Sequence, residues 1–253
     1  MFHLSILHLI LLGCSALIAG CVDTIAGGGG LICVPALMLA GLPPASVLGT
    51  NKFQATFGTG SATVKFMQHG NIRWRDVWIG CCSCLIGASL GALLIQRLNP
   101  AFLHIAFPIL LVVVLLYMLL VPNAGAIERH AYLKPNPFFI GFGLLLGFYD
   151  GFFGPGTGTF WAAALVFFLG FDLKRATMHA KIYNFISNLV SLVWFILGGK
   201  IVYSVGITMA LGQFIGARLG AWLVIHKGTR FIRPLFITMV VCMLISLIYK
   251  HFV

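Results

Sequence analysis

The sequence predicts an all-α membrane protein: an inverted-topology repeat of two five-segment halves, with a broken or re-entrant helix in each. Three observations carry this expectation. Mean hydropathy is +1.04, with 60% hydrophobic and 8% charged residues in 253. That is more apolar surface than a soluble domain of this length can bury, and the backbone in lipid must satisfy itself, as a helix does. The apolar stretches are continuous rather than alternating, which argues against an outer-membrane barrel. Finally, two polar, glycine-rich interruptions occupy matching places in the two halves: Asp23-Thr24-Ile25-Ala26-Gly27-Gly28-Gly29-Gly30 and Asp150-Gly151-Phe152-Phe153-Gly154-Pro155-Gly156-Thr157-Gly158-Thr159. A duplicated break in a membrane helix points to a transport site.

Apolar runs fall near 4–22, 31–41, 45–68, 77–96, 101–121, 137–149, 159–171, 175–198, 202–225 and 231–249. A straight span needs about 20 residues. Runs 31–41 and 159–171 are shorter and directly follow the glycine clusters, so they read as half-helices beginning at Gly29-Gly30 and Gly156-Thr157. If both are re-entrant, eight true spans remain instead of ten. The stretch 122–136, with Pro122, Asn123, Gly125, Glu128, Arg129, Lys134 and Pro135, reads as a loop joining a first repeat, 1–121, to a second, 137–253.

The halves align. Asp23 matches Asp150 and Gly27 matches Gly154. Past a two-residue slip, Gly41 matches Gly170, Lys52 matches Lys181, and Gly70-Asn71-Ile72 matches Gly199-Lys200-Ile201. Ile86-Gly87-Ala88-Ser89-Leu90-Gly91-Ala92 then matches Ile215-Gly216-Ala217-Arg218-Leu219-Gly220-Ala221, and Pro108 and Pro234 sit in the last segments. Five segments per half would invert the second half relative to the first. If all ten cross, one face receives Arg73, Arg75, Arg129, Lys134, Lys174, Arg175, Lys227, Arg230 and Arg233, and the other Arg97, Lys200 and Lys250. The positive-inside rule puts the first group in the cytoplasm and both termini outside. The net charge of +11 is spread through short loops, which favours orientation over nucleic-acid binding as its cause. A positive field also favours anionic solutes.

Other signals are weaker. Leu11-Leu12-Gly13-Cys14 has the look of a lipoprotein cleavage site. No Lys or Arg precedes the first apolar run, so neither a signal peptide nor lipidation is expected. Cys81-Cys82-Ser83-Cys84 does not converge as a metal site would on a helix, and core packing is expected of it. No metal and no cofactor are expected. The spacings Gly87-x-x-x-Gly91 and Gly216-x-x-x-Gly220 allow close helix packing, with intrachain packing favoured and a homodimer as the alternative.

Charge inside the bilayer is costly and marks function. Asp23, Lys52, Lys65, Asp150, Lys181 and Arg218 fall within or at the ends of apolar segments. The two lysines are expected to face a central cavity and offer positive charge to a small anion. The aspartates would pair with them, hold the broken backbone or carry a proton. Buried ion pairs that merely fix helix register are the plainer alternative. Gly27, Gly28, Gly29 and Gly30, with Gly154 and Gly156, let backbone approach a ligand. Helices starting there would aim free N–H groups at it, and Thr157 and Thr159 would add hydroxyl donors. Polar residues line the third segment of each half: Thr50, Asn51, Lys52 and Gln54, then His179, Lys181, Asn184, Ser187 and Asn188. Lys181, Asn184 and Asn188 share a helix face, and His179 points elsewhere.

At these residues the chain resembles the sulfite exporter TauE/SafE family of membrane permeases. The resemblance covers nearly the whole chain. It is strongest at Asp23 to Gly30, Thr50-Asn51-Lys52-Phe53-Gln54, Gly147 to Pro155, Ala176-Thr177-Met178-His179-Ala180-Lys181 and Gly212-Gln213-Phe214-Ile215-Gly216-Ala217-Arg218. It implies a multi-pass bacterial inner-membrane protein that moves small anions such as sulfite or an organosulfonate. Asn51, Lys52 and Gln54, and His179, Lys181 and Asn184, match its motifs. Partners are then the anion and the lipid bilayer.

Two other classes compete. An intramembrane enzyme would need a dyad such as Ser61 with His179, but the Gly-x-Ser-x-Gly elbow is missing and duplicated breaks would go unexplained. A non-transporting scaffold subunit would want long extramembrane docking segments, which the sequence does not offer. No Walker loop appears, so a secondary transporter is expected rather than a pump.

Overall fold

The computed structural model describes residues 5–69, 72–99 and 131–227. These form eight helices: α1 Ile6–Ala26, α2 Gly29–Leu39, α3 Pro44–His69, α4 Trp74–Arg97, α5 Pro135–Phe152, α6 Thr157–Leu169, α7 Leu173–Leu197 and α8 Tyr203–Lys227. The fold among the described residues is all-helical. The expected segments 101–121 and 231–249 lie outside them, as do Gly70-Asn71, Pro108, Cys242, Lys250 and most of the linker.

Helices α1, α4, α7 and α8 are long and apolar enough to cross a membrane. Helices α2 and α6 have 11 and 13 residues. At 1.5 Å rise per residue they reach only about 16 and 20 Å, well short of the roughly 30 Å hydrocarbon core. Both begin at the glycine clusters, where the pattern of runs places them.

Local chemistry sets the ends. The Ser5 hydroxyl accepts the His8 amide at the start of α1, and the Asp172 carboxylate accepts the Arg175 amide at 2.9 Å at the start of α7. Pro135 supplies a pre-set φ at the first position of α5. Helix α1 stops because Gly27 takes φ 81°, a left-handed conformation that side chains with a Cβ resist. Its amide still closes on the Asp23 carbonyl at 2.8 Å. Helix α5 stops before Gly154, at φ 101°.

The surface differs from that of a water-soluble protein, and polar groups lie inside beside an apolar core. Large apolar side chains such as Leu11, Ile18, Leu90, Leu145, Leu211 and Ile215 face outward. The interior holds Asp23, Lys52, Gln54, Asp150, Lys181 and Asn188, each at most 8% exposed. Such a surface suits hydrocarbon, and such an interior persists only if its polar groups satisfy one another.

Small residues set the tightest helix pairs. In α4, Gly87 and Gly91 lie against the backbone of α5 at Leu144 and Phe148. Gly143, Gly147 and Gly151 of α5 return the contact at Ser83, Cys84 and Ala88. In the same way Gly212, Gly216 and Gly220 of α8 lie on Gly13, Leu17 and Cys21 of α1. Without a Cβ at these points the backbones approach closely, and van der Waals contact holds the helices in lipid. Both small-residue spacings are thus used within the chain. Cys81 and Cys84 belong to the apolar core beside Tyr183 and Phe139, while Cys82 faces outward.

Candidate functional site

The two helix breaks meet in the interior. A Cβ on Gly27 would overlap the backbone of Gly158 and Thr159, and one on Gly30 would lie 3.0 Å from Pro155. The Thr159 hydroxyl donates to the Ala26 carbonyl at 2.5 Å, so the first turn of α6 satisfies an orphan carbonyl at the end of α1. Thr157 instead bonds back to the Gly154 carbonyl at 2.7 Å, and Tyr149 donates to the Pro155 carbonyl at 2.6 Å. These bonds hold the second break from within.

Beside this junction lie two buried ion pairs. The Lys52 ammonium donates to Asp150 Oδ1 at 2.6 Å and to Asn188 Oδ1 at 3.1 Å. The Lys181 ammonium donates to Asp23 Oδ2 at 2.7 Å and to the Asp23 carbonyl at 2.6 Å. Each pair joins one half of the sequence to the other. The aspartates also hold the surrounding frame. Asp150 Oδ2 accepts Asn184 Nδ2 at 2.7 Å and the Ser187 hydroxyl. Asp23 Oδ1 accepts the Gly29 amide at 3.1 Å, which ties the carboxylate to the start of α2. A carboxylate there complements the positive end of the short helix.

A cavity of ≈ 20 Å³ opens between these groups. That is room for about one water molecule. From the first half its wall takes Asp23, Gly27, Gly30, Asn51, Lys52 and Gln54. From the second half it takes Asp150, Gly154, Asn184 and Asn188. Gly154 lies where a Cβ would come within 2.7 Å of the Lys52 ammonium, so the glycine leaves space for that charge. The structure therefore brings most of the sequence-expected residues to one place.

Several lie apart from the wall. Lys181 reaches it only through Asp23. Gly28, Gly29, Gly156, Thr157 and Thr159 shape the breaks behind it. His179 is buried, but its Nδ1 pairs with the Arg175 carbonyl at 2.9 Å and its ring stands edge-on to Phe171. It does not reach the cavity. Lys65 donates to the Arg218 carbonyl at 3.3 Å, and Arg218 faces outward. Ser61 has no hydrogen-bond partner, so Ser61 and His179 form no dyad.

Sequence reasoning assigned no site role to Ala55, Ser187 or Gln213. Ser187 stood among the polar residues of its helix, three positions after Asn184, and that spacing was the signal for its place on Asp150. Gln213 is a polar residue inside an apolar run of α8 and within the family-like stretch Gly212 to Arg218, and either signal could have drawn attention to it.

The comparisons with known proteins follow the same line. The family model described as Sulfite exporter TauE/SafE matches residues 12–247. The chain belongs to this family. It is 44% identical to a "Probable membrane transporter protein" of Haemophilus influenzae over 96% of this chain and 95% of that one. It is 43% identical to "Probable membrane transporter protein YfcA" of Escherichia coli K12 over 98% and 93%. It is 40% identical to "Probable membrane transporter protein ORF9" of a Sinorhizobium over 98% and 93%. No solved structure matches the chain. Family, relatives and four candidate spans make it a membrane transporter of the multi-pass bacterial inner-membrane kind.

Proposed function

We propose that the chain is a secondary transporter for a small anion, of the sulfite or organosulfonate class, working by alternating access. The single observation that carries this reading is the crossing of the ion pairs. Lys52 of the first half is held by Asp150 of the second, and Lys181 of the second by Asp23 of the first, beside a cavity where both breaks meet. Matching residues exchanged between halves are what two inverted repeats with a shared midplane site would produce. The pairing of α1 with α8 and of α4 with α5, each across the halves, supports the same reading.

The electrostatics suggest how the anion is taken. Two ammonium groups and two carboxylates sum to zero charge, and the cavity as it stands holds no more than about one water. This arrangement is a closed one, with each ammonium already held by a carboxylate. An anion binds when one carboxylate leaves its lysine, either by a shift of one half against the other or by taking a proton. The ammonium then exchanges one negative partner for another at little electrostatic cost, whereas an unpaired buried charge would be strongly unfavourable. In this reading the anion is held by the freed lysine, Lys52 or Lys181, with Asn51, Asn184 and Asn188 around it. The starts of α2 and α6 add the positive ends of their dipoles from two sides. Export follows from rocking one repeat about that site.

The test is flux in proteoliposomes across sulfite, sulfoacetate, thiosulfate and short carboxylates. Wild type is compared with Lys52→Ala and Lys181→Ala, with folding checked by size exclusion. Transport by the wild type and severe loss in both variants is the expected result. Normal flux in both variants would remove the lysines from anion binding. Absence of any flux in the wild type would favour a scaffold subunit instead.

A further inference from the structure

Two side chains in the cavity wall have an unmet need. Gln54 and Gln213 are each 1% exposed, and each has an amide oxygen with no hydrogen-bond partner. A buried acceptor without a donor loses its hydration and gains nothing in return, so groups of this kind call for an explanation. Both residues line the cavity beside the two ion pairs.

Their positions are built. Gln54 donates its amide nitrogen to Asn51 Oδ1 at 2.9 Å, which fixes the group and leaves its oxygen unmatched. Gln213 enters from α8 through a gap left by two glycines. Gly20 of α1 lies against its backbone, and Gly58 of α3 lies against its side chain, where any Cβ would overlap the stem. Both glycines make room for the glutamine.

The repeat supplies the contrast. In the register that matches Lys52 to Lys181 and Ile86 to Ile215, Gln54 corresponds to Tyr183 and Gln213 to Cys84. Tyr183 packs 4.5 Å from Trp161, and both Tyr183 and Cys84 belong to the apolar core, away from the cavity. The charged framework is duplicated, whereas the amide pair occurs on one side only. A feature that serves folding of both halves would be expected in both; one that reads a substrate need be present once.

A bound cation is a poor match for these oxygens, because each carboxylate of the site is already paired with a lysine and offers it no free negative partner. What fits is a ligand that brings a negative group for the lysines and a hydrogen-bond donor for the amides. We propose that Gln54 and Gln213 select an anion carrying its own hydroxyl donor over an isosteric anion without one. The inference rests on the transport reading above and narrows its substrate class. A site that pairs a substrate hydroxyl rejects the analogue lacking it far more strongly than an apolar pocket does.

The experiment compares uptake of 2-hydroxyethanesulfonate and 1-propanesulfonate into proteoliposomes, probes of equal heavy-atom count that differ in OH against CH₃. Sulfite flux is followed in parallel. Wild type is expected to prefer the hydroxylated probe at least about tenfold. In Gln213→Leu the ratio should fall below about twofold, with Gln213→Met as a second variant if the first is unstable, and Gln54→Leu should act in the same direction. A wild type that moves anions without preference, or moves sulfite but neither probe, overturns the inference and leaves the transport reading intact. A preference that survives both Gln213 variants also overturns it. Absence of flux for every anion overturns the transport reading and this inference together.

Discussion

The ammonium of Lys52 lies 2.6 Å from the carboxylate of Asp150, 98 positions further along the chain, and both side chains are 1% exposed. The second pair, Lys181 with Asp23, joins the halves in the opposite sense. Four charged residues that are costly in lipid thereby become a neutral, hydrogen-bonded cluster.

Removing one member should cost more than removing both. Asp150→Leu alone leaves a buried ammonium with only Asn188 as partner, a destabilisation of about 3–5 kcal/mol. The double variant Lys52→Met/Asp150→Leu should recover much of the lost thermal stability in detergent, since apolar residues of similar size often replace a buried pair without loss. Its anion flux should nevertheless stay below about a tenth of wild type. Full transport by the double variant would reduce the pair to a device that fixes helix register.

Gly27 and Gly141 offer a matched contrast. Gly27→Ala forces a Cβ into a left-handed residue, at about 1–2 kcal/mol, and drives it onto the backbone of Gly158 and Thr159. At Gly141 in α5 an added methyl meets nothing within 4 Å. Gly141→Ala should raise the melting temperature slightly, by helix propensity worth up to about 1 kcal/mol, while Gly27→Ala lowers it by several degrees. Equal effects at the two sites would mean that the breaks do not press on one another.

Gly30 and Pro155 allow a test of relative motion. A Cβ on Gly30 would sit 3.3 Å from that of Pro155, close to disulfide geometry, and the two residues belong to different halves. In a background free of other cysteines, Gly30→Cys/Pro155→Cys should lose at least about tenfold in flux on oxidation and regain it on reduction. Unchanged flux in the cross-linked protein would mean that the breaks need not part during transport.

The imidazole of His179 is engaged by the Arg175 carbonyl and shielded by Phe171, away from the cavity. His179→Gln should therefore change anion flux less than about twofold, at pH 6 as at pH 8. Loss of flux confined to one of these pH values would give this residue a proton-carrying role.

Much of this protein was legible in one dimension. Continuous apolar runs forced helices, because unpaired backbone is intolerable in hydrocarbon, and a left-handed glycine or a proline at each break stopped them where the pattern placed the stops. Repetition singled out Asp23, Lys52, Asp150 and Lys181, since charge in an apolar run is too costly to recur without use. Which lysine meets which aspartate was not legible. That choice depends on how α3 and α7 pass the two breaks in space, and no periodicity records it. The partner of His179 was not legible for the same reason: a ring's partner depends on its rotamer and on what packs beside it. Gln213 was hidden because a single polar residue in an apolar helix looks alike in sequence whether it faces a neighbour or a cavity. Local propensity and solvent preference determine where a membrane helix starts and ends; only the packing of distant segments decides which polar groups are satisfied and which are left waiting for a ligand.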